Sequence, residues 1–181
     1  MHFNKYKIYH FIDKLNKEKL KKINKNISLI YRNYNKKPNK QLLLNLKNFC
    51  RKRGIKIYIS NDIKLALKFN FDGIYIPSFN KQIKQNLYFK KKNFSVIGSA
   101  HNIYQIKNKE MQNVEYIFIS PIFYTKKTKK KLDIHNFNYL LKLTKMKAIA
   151  LGGINEINIK KIPLTNAKGF ASITYIDNFY Q

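Results

Sequence analysis

Eight short apolar runs alternate with longer amphipathic stretches from one end of the chain to the other. The runs are Tyr6–Ile12, Ser28–Arg32, Ile55–Ser60, Gly73–Ile76, Ser95–Gly98, Tyr116–Ser120, Ala148–Leu151 and Phe170–Thr174. They are rich in Ile, Tyr and Phe and mostly unbroken by charge, as parallel strands buried on both faces should be. Between them, Lys14–Asn24, Gln41–Arg53, Ile63–Asn70, Ile103–Gln112, Asn136–Lys145 and Glu156–Ile162 place apolar residues at helical spacing, and Asn80–Phe89 does so more weakly. Gly54 follows the second of these stretches as a C-cap would. Eight strands alternating with helices predict an α/β fold, a compact (β/α)8 TIM barrel forming one domain over residues 1–181. Only Tyr175 to Gln181 follow the last run, so the C-terminal helix is expected to be truncated. The rival architecture, an open doubly wound sheet, would carry G-x-G-x-x-G after its first strand, and that fingerprint is absent.

In such a barrel, function gathers at the carboxyl ends of the strands. Those ends read Asp13, Arg32-Asn33-Tyr34, Ser60-Asn61-Asp62, Pro77-Ser78, Ser99-Ala100-His101-Asn102, Ser120-Pro121, Gly152-Gly153-Ile154 and Ser172-Ile173-Thr174. Polar residues concentrate there while the strand interiors stay apolar, which is itself an argument for a site. The last two ends are the most informative. One closes in two glycines and the other in hydroxyl residues, and neighbouring parallel strands ending so can cradle a phosphate on backbone N–H groups. The plain alternative is a buried strand with a tight turn.

Each remaining candidate has two readings. Arg32 ends an apolar strand, where a guanidinium can grip a phosphate or pair with Asp13 or Asp62. Asp62 can ligate Mg²⁺ or cap a helix. Only Asp13 and Asp62 of the nine acids lie at this face, so a two-carboxylate metal site is barely available. His101, just past the fifth strand, can shuttle a proton or simply pack. The run Lys126 to Lys131 can close on a diphosphate over the mouth or lie solvated.

Composition narrows the field. The net charge of +28 invites a nucleic-acid reading, but the basic residues are spread along the whole chain, within a set rich in Asn, Ile, Tyr and Phe. That set follows from an AT-rich coding bias, so no nucleic-acid partner is expected; the charge favours a phosphorylated small molecule instead. No stretch is long and apolar enough to span a membrane, and no secretory h-region is present, which predicts a cytoplasmic protein without a membrane partner. The single Cys50 fits a reducing compartment and reads as a small core residue. Nothing in the sequence sets an oligomeric state.

Taken in order, Ile30–Tyr34, Ser60–Leu67, Asp72–Ile76, Gly98–Asn102, Glu115–Thr125, Ala150–Ile154 and Gly169–Thr174 resemble thiamine-phosphate synthase and its relative the thiazole tautomerase (the TenI group). The resemblance implies a barrel enzyme of thiamine biosynthesis. The synthase couples hydroxymethylpyrimidine diphosphate with thiazole phosphate, using Mg²⁺, to give thiamine phosphate and diphosphate. It also implies roles. Thiazole phosphate would lie on the backbone at Gly152, Gly153, Ile173 and Thr174. The diphosphate would meet Arg32, Asn61, Asp62 and a loop lysine, Lys127 or Lys129, with Tyr34, Ser99 and Thr125 lining the substrates. Catalysis would fall to Arg32, His101 and Lys129, and Mg²⁺, weakly held, to Asp62. The chain departs from the synthase pattern at four places: Gln-x-Arg-x-Lys reads Ile30-x-Arg32-x-Tyr34, the second Mg²⁺ aspartate falls on Asn80, Gly-Pro becomes Ser120-Pro121, and the loop Thr-x-Thr-Lys becomes Thr125-Lys-Lys-Thr-Lys129. A TenI-like tautomerase using His101, and a non-catalytic thiazole-phosphate-binding protein, are the alternatives.

Overall fold

The computed structural model describes residues 5–83, 92–125 and 129–179. Eight parallel strands form one closed barrel in sequential order: β1 (Lys7–Ile12), β2 (Ile27–Tyr31), β3 (Ile57–Ser60), β4 (Gly73–Ile76), β5 (Ser95–Ala100), β6 (Tyr116–Ile119), β7 (Lys147–Leu151) and β8 (Gly169–Ala171). β8 closes the ring on β1 through Lys7 to Gly169 and Tyr9 to Ala171. Because every strand runs the same way, all eight carboxyl ends open on one face.

The helices are α1 (Lys17–Lys21), α2 (Lys40–Lys52), α3 (Ile63–Lys68), α4 (Ile103–Met111), α5 (Asp133–Lys142) and α6 (Thr174–Phe179). Asparagine supplies most of their starts: Asn16, Asn39 and Asn102 each accept a backbone N–H three residues on, and Asp62 does the same for α3. The helix expected over Glu156–Ile162 is instead a 3₁₀ segment at Ile159–Leu164, and Pro163 inside it removes a donor that an α-helix would need. The stretch Lys14–Asn24 yields only the five residues of α1. Residues 80–83 are not helical, and the rest of the weak helix expected over Asn80–Phe89 lies outside the described residues. The terminal helix is short, as expected: α6 has six residues.

Between barrel and helices lies a mostly aliphatic layer, with Leu29, Leu46, Ile57, Ile74, Ile106, Ile117, Phe137 and Ile162 fully buried. Cys50 belongs to it, and burial pushes its thiol up to about 12, so it stays protonated. The barrel interior is aromatic. Tyr9, Phe11, Tyr58, Tyr75 and Phe118 face one another with Ile30, Ile97, Ile149 and Ala171. Ring centroids lie 4.9 Å apart for Tyr9 and Phe118 and 5.2 Å apart for Phe11 and Tyr75, both edge-to-face, as aromatic quadrupoles prefer. This floor supports the mouth above it.

Candidate active site

Arg32 continues the β2 ladder, its N–H donating to the Ile12 carbonyl at 2.8 Å. Since Tyr31 packs on the helix side, alternation turns Arg32 toward the barrel. Its guanidinium lies over the Phe11 ring, 4.3 Å from the centroid, and bonds the Tyr75 hydroxyl. Ser99 bonds the same hydroxyl from β5. Burial pushes Tyr75 up to about 12, so it remains a neutral phenol that fixes Arg32 without competing for its charge. Among the described residues Arg32 forms no ion pair with Asp13 or Asp62, leaving its charge uncompensated by a carboxylate. Beside it, Tyr34 shares a 3.0 Å hydrogen bond with Ser60 and meets Phe79 edge-to-face at 5.6 Å.

His101 follows β5 and is exposed. Its Nδ1 lies 2.9 Å from the Ser120 carbonyl and 3.1 Å from the Ser120 hydroxyl. A carbonyl can only accept, so the neutral ring carries its proton on Nδ1 and presents a basic Nε2.

Gly152 and Gly153 both adopt positive φ, 96° and 71°, which side chains rarely accept. The reason is close approach. A Cβ on Gly152 would stand 2.8 Å from Pro121, and one on Gly153 would stand 2.7 Å from the Phe123 carbonyl oxygen. The segment after β6 is sewn to this turn by Ile122 N–H to Leu151 O at 2.9 Å and Phe123 N–H to Gly152 O at 3.1 Å. Thus the glycines dock the base of the basic loop, with the Gly152 carbonyl accepting from Phe123 and the Gly153 carbonyl from Asn158 Nδ2 at 2.7 Å. The N–H groups of Gly153 and Thr174 take no acceptor among the described residues. The strand expected over Phe170–Thr174 ends at Ala171: Ser172 still donates its N–H to Tyr9 O of β1 at 3.2 Å, but its hydroxyl already turns the chain, donating to Ile154 O at 3.1 Å and accepting from Tyr175 N–H at 3.1 Å. Ser172 therefore starts α6, and Ile173 and Thr174 stay exposed at the rim.

Of the loop residues, Lys129 is exposed and turns back on Thr125, its N–H donating to the Thr125 carbonyl at 3.1 Å; Lys127 lies outside the described residues. A cavity of about 490 Å³ opens beside the mouth, between β1, α1 and α6. Phe11, Arg32 and Ile173 border it from the mouth side, and Lys14, Lys19 and Asp13 charge its outer wall.

The family model described as thiamine monophosphate synthase matches residues 14–176. The chain belongs to the thiamine monophosphate synthase family. A thiamine-phosphate synthase of Staphylococcus epidermidis is 29% identical over 152 residues, covering 76% of this chain and 66% of that protein. One of Prochlorococcus marinus is 31% identical over 143 residues, covering 76% and 40%. The chain thus spans two thirds or less of the length of these curated relatives. Among solved structures, thiamine phosphate pyrophosphorylase from Pyrococcus furiosus superposes with a TM-score of 0.75 at 18% identity, over 97% of this chain and 92% of that one. The corresponding protein of Bacteroides thetaiotaomicron gives 0.64 at 20% identity, over 97% and 86%. These two likenesses show the shared barrel.

The Mg²⁺ that the family resemblance implies fits this donor set poorly. Asp62 caps α3 through Oδ1, which accepts from Leu65 N–H at 2.9 Å. At Asn80 an amide stands where a second carboxylate would be needed, and it bonds Asn61 directly. No group of three His, Cys, Asp or Glu residues that could hold a metal exists among the described residues. Mg²⁺ requires several hard oxygen ligands, and one half-engaged carboxylate supplies too few.

Two residues escaped the sequence reading. Tyr75 could have been found by alternation, since Gly73 and Tyr75 share the inward face of β4. Lys109, fully buried on α4, carried no signal: a lysine among 37 basic residues reads as a solvated one.

Proposed function

We propose that this chain is a synthase-type transferase that couples hydroxymethylpyrimidine diphosphate with thiazole phosphate and releases diphosphate. The observation that carries the reading is Arg32, held over Phe11 by Tyr75 at the strand-end mouth with no carboxylate partner among the described residues. A fixed, uncompensated guanidinium suits a leaving diphosphate, on which negative charge grows as the pyrimidine C–O bond ionises. The thiazole nitrogen then traps the pyrimidine cation. The bare N–H groups at Gly153 and Thr174 suit the thiazole phosphate, and Gly152 and Ile173 complete that backbone cradle. Asn61, Tyr34, Ser99 and Thr125 line the substrates, and a lysine of the loop after Thr125 (Lys127 or Lys129) approaches the diphosphate. The reaction belongs in the reducing cytoplasm, where Cys50 stays a thiol.

His101 supports a second reading. Its basic Nε2, set by Ser120, is what a thiazole tautomerase needs to move a ring proton. The test is a coupling assay for thiamine phosphate and diphosphate, run beside a thiazole-isomerisation assay. In the synthase reading Arg32→Ala abolishes coupling and His101→Ala changes little. In the tautomerase reading His101→Ala lowers the isomerisation rate by roughly a hundredfold. Neither variant altering any turnover would leave a binding protein only.

A further inference from the structure

The poor fit of Mg²⁺ leaves open what neutralises a diphosphate here, and the hydrogen bonds around Asn80 answer it. Asn80 Oδ1 accepts from Gln82 N–H at 2.8 Å. A backbone N–H can only donate, so this atom must be the amide oxygen, and the other side of the carboxamide is its NH₂. That NH₂ donates to Asn61 Oδ1 at 2.6 Å. Asn61 therefore has its oxygen turned inward, and its own NH₂ is the group left for a ligand. Its backbone is fixed as well: φ is 61°, and its N–H donates to Tyr75 O at 2.8 Å.

The pair is backed by a buried cation. Lys109, fully buried, donates from Nζ to the Asn80 carbonyl at 2.8 Å and to Gln112 Oε1 at 2.8 Å. Gln112 Nε2 donates to the same Asn80 carbonyl at 3.0 Å and to Gln82 O at 3.1 Å. Among the described residues no carboxylate pairs with Lys109. A site that would hold a metal needs oxygens facing out and negative charge behind; here an amide NH₂ faces out and an ammonium stands behind.

We propose that the Asn61–Asn80 pair forms an anion subsite that takes the diphosphate without a protein-bound divalent ion, with Arg32 as its counter-charge. This rests on the synthase-type reading above. Asn80 and Lys109 are positioning residues, and Asn61 is the contact.

Calorimetric titration with inorganic pyrophosphate, in EDTA and in excess Mg²⁺, tests it. The wild-type protein is expected to bind in EDTA, with Mg²⁺ not tightening the binding. Asn80→Asp keeps the shape but places an acceptor against Asn61, so the Asn61 amide must turn its oxygen outward. Losing one charge-assisted donor should weaken binding in EDTA by about tenfold or more, and Mg²⁺ should restore it. Lys109→Met should weaken binding in EDTA without creating Mg²⁺ dependence. No binding by the wild-type protein in EDTA, binding about tenfold tighter with Mg²⁺, or an Asn80→Asp variant indistinguishable from wild type would each overturn the proposal. The coupling assay in the same two buffers separates the two ideas. Metal-free pyrophosphate binding without coupling removes the reaction and keeps the subsite. Coupling with pyrophosphate bound only in Mg²⁺ does the reverse.

Discussion

Replacing Gly153 by Ala should destabilise the protein by more than a positive φ alone accounts for, and Gly54→Ala provides the control. Both glycines are left-handed, with φ of 65° at Gly54 and 71° at Gly153. Nothing lies within 4 Å of a Cβ at Gly54, so Ala there meets only the conformational penalty, about 1 kcal/mol. At Gly153 the new methyl would overlap the Tyr124 carbonyl oxygen and stand 2.7 Å from that of Phe123. Both are backbone atoms with no rotamer to change, so the segment after β6 must move by several tenths of an ångström. That strains the hydrogen bonds from Ile122 to Leu151 and from Phe123 to Gly152, each worth about 1 kcal/mol net. The sum is about 2–3 kcal/mol, or a Tm lower by roughly 5–10 °C for a chain of this size. Urea denaturation of both variants measures it. If Gly153→Ala were no less stable than Gly54→Ala, the docking argument would be wrong. Val at this position is no test of ligand binding, because its side chain drives into the same carbonyls.

Three further outcomes are expected. Tyr75→Phe keeps the ring packing and removes the hydroxyl that holds Arg32, so coupling kcat should fall by about tenfold, a lost hydrogen bond to a charged group, with stability changing by only ~1–2 kcal/mol. Lys109 has its pKa lowered by burial to about 8, below that of the unfolded chain. The unfolded state therefore binds more protons between pH 8 and the ordinary lysine range, and the wild type should gain stability over Lys109→Met as pH rises through that window. The gain should be at most about 1.4 kcal/mol per pH unit, read by denaturation at pH 7.5, 8.5 and 9.5. His10 is held below its ordinary pKa by burial, against the opposing pull of the Ser172 carbonyl and Asp177. The unfolded chain takes up its proton first on acidification, so stability should fall as pH drops below about 6.5, and less steeply in His10→Gln.

The barrel was legible because continuous apolar runs and period-3.6 amphipathicity survive in a lysine-rich sequence: all eight strands are present, and β4 has its expected bounds. The ends were less legible, since hydrogen bonds rather than hydropathy decide them. Ser172 reads as strand in an apolar run, but its hydroxyl starts α6. Pro163 marks the segment before β8 as unfit for an α-helix, a signal that the apolar spacing of Glu156–Ile162 masks. At the mouth, residue types were readable and partners were not. Asp62 gives the same letter whether it caps or ligates, and only the 2.9 Å contact with Leu65 shows that it caps. Lys109 was invisible because burial of an ammonium depends on which helix face meets residues 80–82, a tertiary fact.

Two departures from the synthase pattern, at positions 34 and 80, fall on the side of the mouth away from the glycines, and the structure gives a reason. On the proposed reading the glycine side works through backbone N–H groups, which no substitution but proline removes, and through turns that only glycine makes easily. The opposite side works through side chains, which can change one at a time. There Tyr34 replaces a lysine of the pattern and engages Ser60, so one cation is gone. Asn80 stands where the pattern has a carboxylate, so one anion is gone, and on the proposed reading the metal goes with it. The two changes offset each other in charge: a diphosphate that meets no bound metal needs donors and a fixed cation rather than more carboxylate. Arg32 remains fixed by Phe11 and Tyr75, Asn61 presents its NH₂, and Lys109 supplies a cation from behind. The changes at 34 and 80 thus balance in charge, and restoring one alone should weaken this side of the mouth: an aspartate at 80 without a lysine at 34 adds negative charge that no new cation balances, where the proposed leaving group would lie.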